Sequence, residues 1–381
     1  YSMATDSQQQ VGSSFKPIGV YAPAFELGVI TPATVIKDMP LRYNTSDSGK
    51  TTPYPYNDNR SYSYSRTILD GIVSSVNAVS VNTLDMIGTR YSYNFAKDMF
   101  RISGLTDGER KDGISDVDYS PLAMGGLSYG ATVRDVTNAY ATFANQGVWR
   151  EARTFTKVYD SNGKLVLDNI QKEEKILSDK TVNYMNYCLT NATAYGTGSE
   201  AKLKGITTAG KTGTTGSNKD RWYCGFTKYY TAAVWCGFDT PAQIRPKSVN
   251  NPSAVLWNKV MEPIHEGLPG AWVCDTSGMS WASLCIESGE AAGSACHSDI
   301  RTVLGGASRV QYAQAYAEDF AFGGCDKHVM VEYCVDGVAT EYCQNFAKDD
   351  PTIQFKQVSL VRMTQSELNE ILQACQVGLN G

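Results

Sequence analysis

Three short motifs in the sequence combine a nucleophile with groups that carry protons or bind anions. In chain order they are Ser13-Ser14-Phe15-Lys16, Ser75-Val76-Asn77 and Lys211-Thr212-Gly213-Thr214. Each motif is common by itself, because a serine and a lysine one helical turn apart usually form no more than an exposed pair. In this order, however, they approximate the set that serine acyltransferases use to form an acyl-enzyme. The combination therefore predicts acyl transfer through a serine hydroxyl.

Longer segments around these motifs resemble the transpeptidase domain of class A penicillin-binding proteins. They are residues 11–17 (VGSSFKP), 140–145 (YATFAN), 220–227 (DRWYCGFT) and 234–239 (VWCGFD). The resemblance extends from Tyr1 to about His265, and Val11 stands where the family usually has proline. It implies an α+β penicillin-recognising fold, with an antiparallel sheet flanked by helices and the three motifs meeting in a cleft.

The resemblance implies roles for two residues in each of the first two motifs. Ser13 is the nucleophile, and Lys16 takes its proton, which requires a neutral amine; burial and the nearby charge of Lys211 lower the pKa of such a lysine. Ser75 passes the proton toward the departing amine, and the Asn77 amide holds the peptide group of the substrate. The predicted catalytic residues are Ser13, Lys16, Ser75 and Lys211.

The third motif is predicted to bind the terminal carboxylate of the substrate. Lys211, Thr212 and the Thr214 hydroxyl would contact it, and Gly213 lets the strand backbone come close to the ligand. The resemblance also implies that the N–H groups of Ser13 and Thr214 stabilise the oxyanion, where loss of one donor costs about 3 to 4 kcal/mol. The predicted substrate-binding residues are Asn77, Thr212, Gly213 and Thr214.

The resemblance implies a D,D-transpeptidase that cross-links peptidoglycan and is inhibited by β-lactams. Its partners are then peptidoglycan stem peptides and β-lactam antibiotics, and it needs no cofactor or metal. Two alternatives stay open: a D,D-carboxypeptidase, in which water replaces the acceptor amine, and a non-catalytic sensor or scaffold that binds β-lactam or peptidoglycan. A class A β-lactamase is disfavoured because no E-x-x-L-N pattern lies between Ser75 and Lys211.

Two other motif matches predict different chemistry and fail on their local context. Residues 205–212 match the P-loop pattern G-x4-G-K-[ST], but the Thr-rich and Gly-rich segment after Lys211 does not predict the helix that a P-loop opens. Residues 126–130 match the nucleophile elbow G-x-S-x-G, but residues 121–126 do not predict the strand that must lead into it. Neither a nucleotide site nor an α/β-hydrolase site is expected.

Size, charge and hydropathy exclude several classes of protein. The 381 residues are 42% hydrophobic with a net charge of −5, so a large core is available and no basic cluster tracks a nucleic-acid backbone. Apolar stretches such as residues 231–238 fall far short of the roughly 20 residues that cross a bilayer. The chain does not begin like a secretory precursor, so we expect a fragment or processed product.

The resemblance also implies what such a fragment belongs to. Family members have two strands and a helix upstream of the nucleophile, together with a glycosyltransferase domain and a membrane anchor. We therefore expect an extracytoplasmic location at the bacterial cell surface. Contact with the membrane is expected only through the upstream anchor of a longer protein.

Cysteines are concentrated toward the C-terminus. Seven of the ten lie beyond residue 270: Cys274, Cys285, Cys296, Cys325, Cys334, Cys343 and Cys375. The usual zinc-ribbon spacing is missing because no C-x-x-C pair occurs, and disulfides in an oxidising setting are favoured. Cys224 and Cys236 can pair only if their strands set them opposite each other. We interpret His265, His297 and His328 as surface or supporting residues rather than metal ligands.

The hydrophobic periodicity predicts helices followed by an antiparallel meander. Helical patterns cover residues 15–27, 68–73, 81–87, 133–145 and 181–194, and strand patterns cover 206–214, 222–227 and 231–238. We also predict a hairpin at 153–168, an irregular surface segment at 43–67, and a final helix at 364–374 that starts with a Thr-x-x-Glu cap. A boundary between Val260 and Gly270 then separates a transpeptidase domain, 1–265, from a cysteine-rich tail domain, 266–381.

Overall fold

The chain forms two compact units whose segments alternate along the sequence. The computed structural model describes residues 1–246, 248–320, 323–334 and 355–379. Unit 1 comprises Tyr1–Thr31 and Leu69–Gly278, and unit 2 comprises Pro32–Ile68 and Met279–Gly381. These units differ from the sequence-based division chiefly in residues 32–68, and the assignment of 1–265 and 266–381 as functional domains stays a prediction.

Both units contain helices and strands. In the described residues, helices α1 to α11 are Ala22–Glu26, Ile68–Val73, Asn77–Ile87, Thr89–Asn94, Tyr119–Met124, Val133–Ala144, Asp179–Ala194, Pro252–Ile264, Ser294–His297, Ile300–Val303 and Gln365–Leu379. Strands β1 to β15 are Val35–Asp38, Arg42–Thr45, Thr51–Tyr54, Tyr64–Thr67, Val148–Arg150, Lys157–Tyr159, Leu165–Asp168, Glu173–Lys175, Ala209–Thr214, Arg221–Phe226, Thr231–Cys236, Met279–Cys285, Val310–Tyr316, His328–Cys334 and Phe355–Val361. The structure is a mixed helix and strand fold, which confirms the α+β class, but its strands form several small antiparallel sheets rather than the one sheet predicted. Among the described residues, no helix has both the length and the apolar character that crossing a bilayer requires.

A three-stranded meander in the order β11-β10-β9 forms the main sheet of unit 1. Its strands pair in register, with Lys211 on β9 opposite Cys224 on β10. Helices α6, α7 and α8 pack against the sheet. The buried ring of Tyr223 meets Trp257 of α8 edge to face, with ring centroids 5.2 Å apart, and each such aromatic buries about 150–250 Å². This packing fixes the position of β9, which carries the third motif.

The first motif lies in a continuous helical run built from three kinds of turn. A 3₁₀ turn spans Gly12–Phe15, a π turn spans Pro17–Tyr21, and α1 follows. Pro17 is tolerated because it occupies the first position of its turn, where a missing N–H matters least. Nearly every side chain of the run is buried. The run therefore gives Ser13 and Lys16 a fixed base, and the helix predicted for residues 15–27 is confirmed.

Most of the other predicted elements are also confirmed. Helices α2, α3, α6 and α7 match the helical patterns, and β9, β10 and β11 match the strand patterns to within a few residues. Strands β6 and β7 form the predicted hairpin. Helix α6 ends three residues before Gly147, whose φ of 80° lies in the left-handed region that favours glycine.

Unit 2 consists of paired strands with short helices. The pairs are β1 with β4, β2 with β3, β12 with β13 and β14 with β15. Strands β2, β3 and β4 occupy 11 of residues 43–67. The prediction of an irregular segment is wrong for those stretches, whose Tyr and Thr residues favour strands. Helix α11 has the predicted cap, because the Glu367 N–H donates to Thr364 Oγ1 at 3.2 Å and the Thr364 N–H donates to Glu367 Oε2 at 2.7 Å.

The described cysteines are free thiols, so the disulfide prediction is not supported. They are Cys188, Cys224, Cys236, Cys274, Cys285, Cys296 and Cys325. On the meander, Cys224 lies opposite Ala233 and Cys236 opposite Arg221, so the register keeps these two sulfurs apart. In unit 2 the sulfurs of Cys285 and Cys325 are 3.5 Å apart, well beyond the roughly 2.05 Å of a disulfide bond. The side chains of Cys334, Cys343 and Cys375 fall outside the described part of the chain.

Candidate active site

The backbone around Ser13 approaches β9 closely because glycines stand at both contact points. Gly12 has a φ of 59°, and a Cβ there would lie 2.5 Å from the Thr214 carbonyl oxygen. A Cβ on Gly213 would lie 2.3 Å from the Val11 carbonyl oxygen. Both positions therefore require glycine, and their contact places the first motif beside the third.

Of the two adjacent serines in the first motif, Ser13 is half-buried and Ser14 is buried. The Ser14 hydroxyl donates to the Val11 carbonyl at 2.8 Å. The Tyr140 hydroxyl donates to the Ser14 carbonyl at 2.8 Å, and burial raises the pKa of Tyr140 well above its usual value, so this group stays a donor. Ser13 is the member of the pair that keeps the partial accessibility a nucleophile needs.

Lys16 is fully buried and reaches the second motif. Its Nζ donates to the Ser75 carbonyl at 2.8 Å and to Asn77 Oδ1 at 2.8 Å. Both acceptors are uncharged. A neutral amine has two N–H donors, enough for both of these bonds, and a lone pair that can accept a proton.

Ser75 connects the two buried lysines of the site. It lies in the turn between α2 and α3 with a φ of 58°, a left-handed conformation that is uncommon for serine. Its carbonyl accepts from Lys16, and its hydroxyl accepts from Lys211 Nζ at 2.7 Å. The Val76 N–H closes the turn by donating to the Gly71 carbonyl at 2.9 Å. The unusual backbone lets one residue present both of its oxygens to the site.

The third motif lies along β9, with Lys211 fully buried. Thr212 Oγ1 donates to Thr197 Oγ1 at 2.7 Å. The Arg221 guanidinium donates to the Thr214 hydroxyl at 3.1 Å. The hydroxyls of both threonines predicted to bind a carboxylate thus have protein partners. Arg221 places a cation beside Thr214.

The predicted site residues come together in unit 1. Hydrogen bonds join Lys16, Ser75, Asn77 and Lys211. Ser13 lies on the same helical run as Lys16. Gly213 packs against residues 11–14, which we call the nucleophile segment. Sequence reasoning gave no role to Tyr140, Thr197 or Arg221. Tyr140 and Arg221 lie in segments that carry the family resemblance, which was the available signal. For Thr197, no motif indicates that it meets β9.

The two alternative motif matches lack the geometry that their patterns require. Lys211 lies inside strand β9 rather than at the start of a helix, which excludes a P-loop. Helix α5, not a strand, leads into residues 126–130. There the Ser128 hydroxyl donates to Asp116 Oδ1 at 2.7 Å, and the Ser128 N–H donates to the same oxygen at 2.8 Å. The Ser128 hydroxyl therefore helps to stabilise a turn.

The three histidines differ in their surroundings. His297 is exposed, whereas His265 and His328 are buried. His265 Nε2 lies 2.7 Å from the Thr227 hydroxyl, a contact within unit 1. His328 lies in unit 2 beside three cysteine sulfurs, a donor set that can hold a metal ion. The spacing Cys325-x-x-His328 is the sequence signal for this group of residues. A search for C-x-x-C pairs does not detect it.

Sequence comparisons show which known proteins the chain resembles. The family model for the penicillin binding protein transpeptidase domain matches residues 1–243. Penicillin-binding protein 1A of Clostridium acetobutylicum is 33% identical over 270 residues, which cover 69% of this chain and 32% of the relative. Penicillin-binding protein 1A of Clostridium perfringens is 31% identical over 311 residues, covering 80% of this chain and 36% of the relative. The chain thus spans about a third of the length of these curated relatives.

Solved structures share the fold. The crystal structure of penicillin-binding protein 1A from Haemophilus influenzae matches with a TM-score of 0.65 at 20% identity, covering 85% of this chain and 50% of that one. The penicillin-binding protein PonA1 from Mycobacterium tuberculosis matches with a TM-score of 0.58 at 21% identity, covering 71% and 72% of the two chains. At such identities the likeness concerns the fold alone.

Proposed function

This chain belongs to the penicillin-binding protein transpeptidase domain family, and on that premise we propose that it is a serine-type D,D-transpeptidase that cross-links peptidoglycan stem peptides. The observation that carries the proposal is the position of Ser75, whose carbonyl accepts from Lys16 and whose hydroxyl accepts from Lys211. Two buried amines joined by one serine, beside the half-buried Ser13, are suited to proton transfer around an acyl-enzyme.

In the proposed acylation, the Ser13 hydroxyl attacks the carbonyl of the penultimate D-Ala of a donor stem peptide. Its proton passes to neutral Lys16 as the oxygen–carbon bond forms. The N–H groups of Ser13 and Thr214 are the proposed oxyanion donors, where loss of one costs about 3 to 4 kcal/mol. The bond to the last D-Ala then breaks, its nitrogen takes a proton from Ser75, and Lys16 returns a proton to Ser75.

In the proposed second half-reaction, an amine of a neighbouring stem peptide attacks the acyl carbonyl. The amine gives up a proton to the site, a new amide bond forms, and Ser13 leaves with a proton restored to its oxygen. The two peptides are thereby cross-linked, and the net change is the exchange of one amide bond for another. Because no oxidation or phosphate transfer occurs, the proposed chemistry uses only proton carriers and hydrogen-bond donors.

Substrate binding is proposed to use the remaining motif residues. Lys211, Thr212 and Thr214 bind the terminal carboxylate, and Gly213 lets the β9 backbone approach the peptide. Arg221 donates to the Thr214 hydroxyl, which adds positive charge where the carboxylate is proposed to lie. For Asn77, whose Oδ1 already accepts from Lys16, the amide nitrogen is the group proposed to hold the substrate.

Inhibition and location follow from the same proposal. A β-lactam presents a strained amide in place of the terminal dipeptide, so we propose that it acylates Ser13 and remains attached. The proposed location is extracytoplasmic, at the bacterial cell surface. Since the chain spans about a third of its curated relatives, anchoring to the membrane is a proposal about a longer protein.

A synthetic pentapeptide that ends in D-Ala-D-Ala tests the function when it is incubated with and without an acceptor amine. A transpeptidase releases D-Ala and joins the shortened peptide to the acceptor, which mass spectrometry detects. Release of D-Ala with only the hydrolysed peptide as product identifies a carboxypeptidase. Covalent binding of penicillin without turnover of the peptide identifies a sensor or scaffold. Ser13→Ala should abolish every covalent product, whereas exchange of the exposed Ser74 for alanine should not.

A further inference from the structure

Three cysteines and one histidine of unit 2 converge from separate parts of the chain. Cys285 ends β12, Cys296 lies on α9, Cys325 precedes β14, and His328 begins β14. Their sulfur and nitrogen atoms all lie within 4.8 Å of one another. Cys285, Cys296 and His328 are buried and Cys325 is half-buried. The four side chains therefore form an inward-facing cluster, which we call the Cys3His cluster.

Three of the six distances inside the Cys3His cluster match a tetrahedral zinc site. The sulfurs of Cys285 and Cys325 are 3.5 Å apart and lie 3.5 and 3.4 Å from His328 Nδ1. Zn–S bonds near 2.3 Å and Zn–N bonds near 2.0–2.1 Å set the ligand atoms of a tetrahedron roughly 3.5 to 3.8 Å apart. A disulfide instead needs sulfurs at roughly 2.05 Å and gives His328 no part. The spacing therefore favours one shared cation.

Backbone hydrogen bonds position two of the cysteines. The Gly289 N–H donates to the Cys285 carbonyl at 2.8 Å, which forms a tight turn after β12. Gly289 has a φ of 79°, so this turn requires a glycine. The Cys325 N–H donates to the Ala291 carbonyl at 3.0 Å, just beyond the same turn. The peptide framework thus brings Cys285 and Cys325 together without help from their sulfurs.

A buried carboxylate orients the histidine of the cluster. His328 Nε2 lies 3.0 Å from Asp299 Oδ2, and both side chains are almost completely buried. Asp299 is itself held by Arg301, whose Nε and Nη2 donate to it at 2.9 and 2.7 Å. Donation from Nε2–H to the carboxylate directs the other ring nitrogen, Nδ1, at the sulfurs. Zinc-binding histidines characteristically donate their second N–H to such a carboxylate.

We propose that Cys285, Cys296, Cys325 and His328 bind one Zn²⁺ ion that stabilises unit 2. Four protein ligands complete a tetrahedral shell and leave no position for water, so the site is structural rather than catalytic. The thiols bind as thiolates, and their protons are released to solvent as the three Zn–S bonds form. The ion ties the end of β12 and helix α9 to the start of β14. This assignment does not depend on the proposed transpeptidase function.

The metal content of the full chain, purified without chelators, tests the proposal. We expect about one zinc per chain by inductively coupled plasma mass spectrometry, and loss of that zinc in Cys325→Ser and in His328→Gln. His297→Gln and Cys236→Ser are matched controls and should retain it, because His297 is an exposed neighbour of Cys296 and Cys236 lies in unit 1.

Two further measurements separate loss of a ligand from loss of the fold. Asp299→Asn keeps all four ligands but weakens the support of His328, so zinc affinity, measured by competition with a chromophoric chelator, should fall roughly 10- to 100-fold. Co²⁺ added to the chelator-stripped chain should produce thiolate-to-cobalt charge-transfer absorption and the strong visible bands of a tetrahedral ion. Penicillin labelling at Ser13 reports separately on the folding of unit 1.

Several results would overturn the proposal. One is a full complement of zinc in Cys325→Ser or His328→Gln. Another is a freshly purified parent chain without zinc whose non-reducing peptide map shows a disulfide between two of Cys285, Cys296 and Cys325. A parent chain that takes up neither zinc nor cobalt while its thiols are reduced also contradicts it.

Discussion

The Gly213→Ala substitution should push strand β9, which carries the third motif, away from the segment that carries Ser13. A Cβ at this position would lie 2.3 Å from the Val11 carbonyl oxygen, 2.7 Å from Ser14 Oγ and 2.9 Å from Trp222 Cβ. These neighbours are a backbone carbonyl and side chains that are themselves buried, so none can rotate away at little cost. An ordinary contact begins at 3.4 Å, so β9 and the nucleophile segment must move apart by about 1 Å.

That displacement sets the expected size of the effect. Overpacking of this kind costs about 1–3 kcal/mol of unfolding free energy, and a misplacement of about 1 Å in an active site can slow a reaction roughly 100-fold. The assay is the second-order rate of acylation by a fluorescent penicillin, with urea unfolding measured alongside. Gly216→Ala is the matched control, because a Cβ there meets nothing within 4 Å. A Gly213→Ala chain that acylates at the parent rate refutes the reasoning.

Three further variants test other contacts of the structure. Ser75→Ala removes one acceptor of the buried Lys211, so urea unfolding should show a loss of about 1.5–3 kcal/mol. Acylation by penicillin should also slow roughly 10²- to 10⁴-fold. Ser74→Ala should change the unfolding free energy by less than about 0.5 kcal/mol, and equal effects of the two substitutions contradict this account. Tyr140→Phe leaves a buried carbonyl without its donor and should lower the unfolding free energy by about 1–3 kcal/mol, so an unchanged urea midpoint argues against that contact. A hydrogen bond from Lys327 lowers the pKa of Glu367 from 4.5 to about 2. The ionised Glu367 carboxylate should therefore stabilise α11 fully above pH 4.5, and this stabilisation should be lost as the pH falls toward 2. The amide hydrogen-exchange rates of α11 in the parent and in Glu367→Gln should therefore become equal as the pH falls over that range. A difference in rate that stays constant with pH contradicts the role given to Glu367.

Local patterns were sufficient to predict many elements of unit 1, although they missed helices α4, α5 and α8. The meander β9-β10-β11 follows from strand-forming runs separated by turn residues, and α6 and α7 follow from apolar spacing with clear ends. The same reasoning failed for the short strands within residues 43–67, which it predicted to be irregular. Their Gly, Pro, Asn and Asp residues marked the turns correctly, but the short strands between them contain too few apolar residues to show a period of two.

The site was predicted by residue type and order, whereas its geometry was not. Motif order indicates that Lys16, Ser75 and Lys211 meet, but no sequence pattern predicts the left-handed φ of Ser75 that lets it contact both lysines. The contact of Tyr140 with the Ser14 carbonyl joins residues 126 positions apart. Such a contact depends on how helices pack, which local propensity does not encode.

The Cys3His cluster shows a second limit of pattern reading. Spacing rules look for paired cysteines, and here the four ligands come from a strand end, a short helix, a loop and a strand start. Seven cysteines in the tail cannot all pair with one another, which is compatible with a site of three thiols and a histidine. Composition alone nevertheless favoured disulfides. The distinction required distances between side chains.

The most direct test of the central claim is to locate the covalent adduct that a β-lactam forms with this chain. After reaction, the chain is digested and the modified peptide is sequenced by tandem mass spectrometry, with fragment ions that distinguish Ser13 from Ser14. We predict a single adduct on Ser13, with the mass of the intact β-lactam, that is absent from Ser13→Ala. An adduct on a different residue, or a folded parent chain that forms none, would contradict the account.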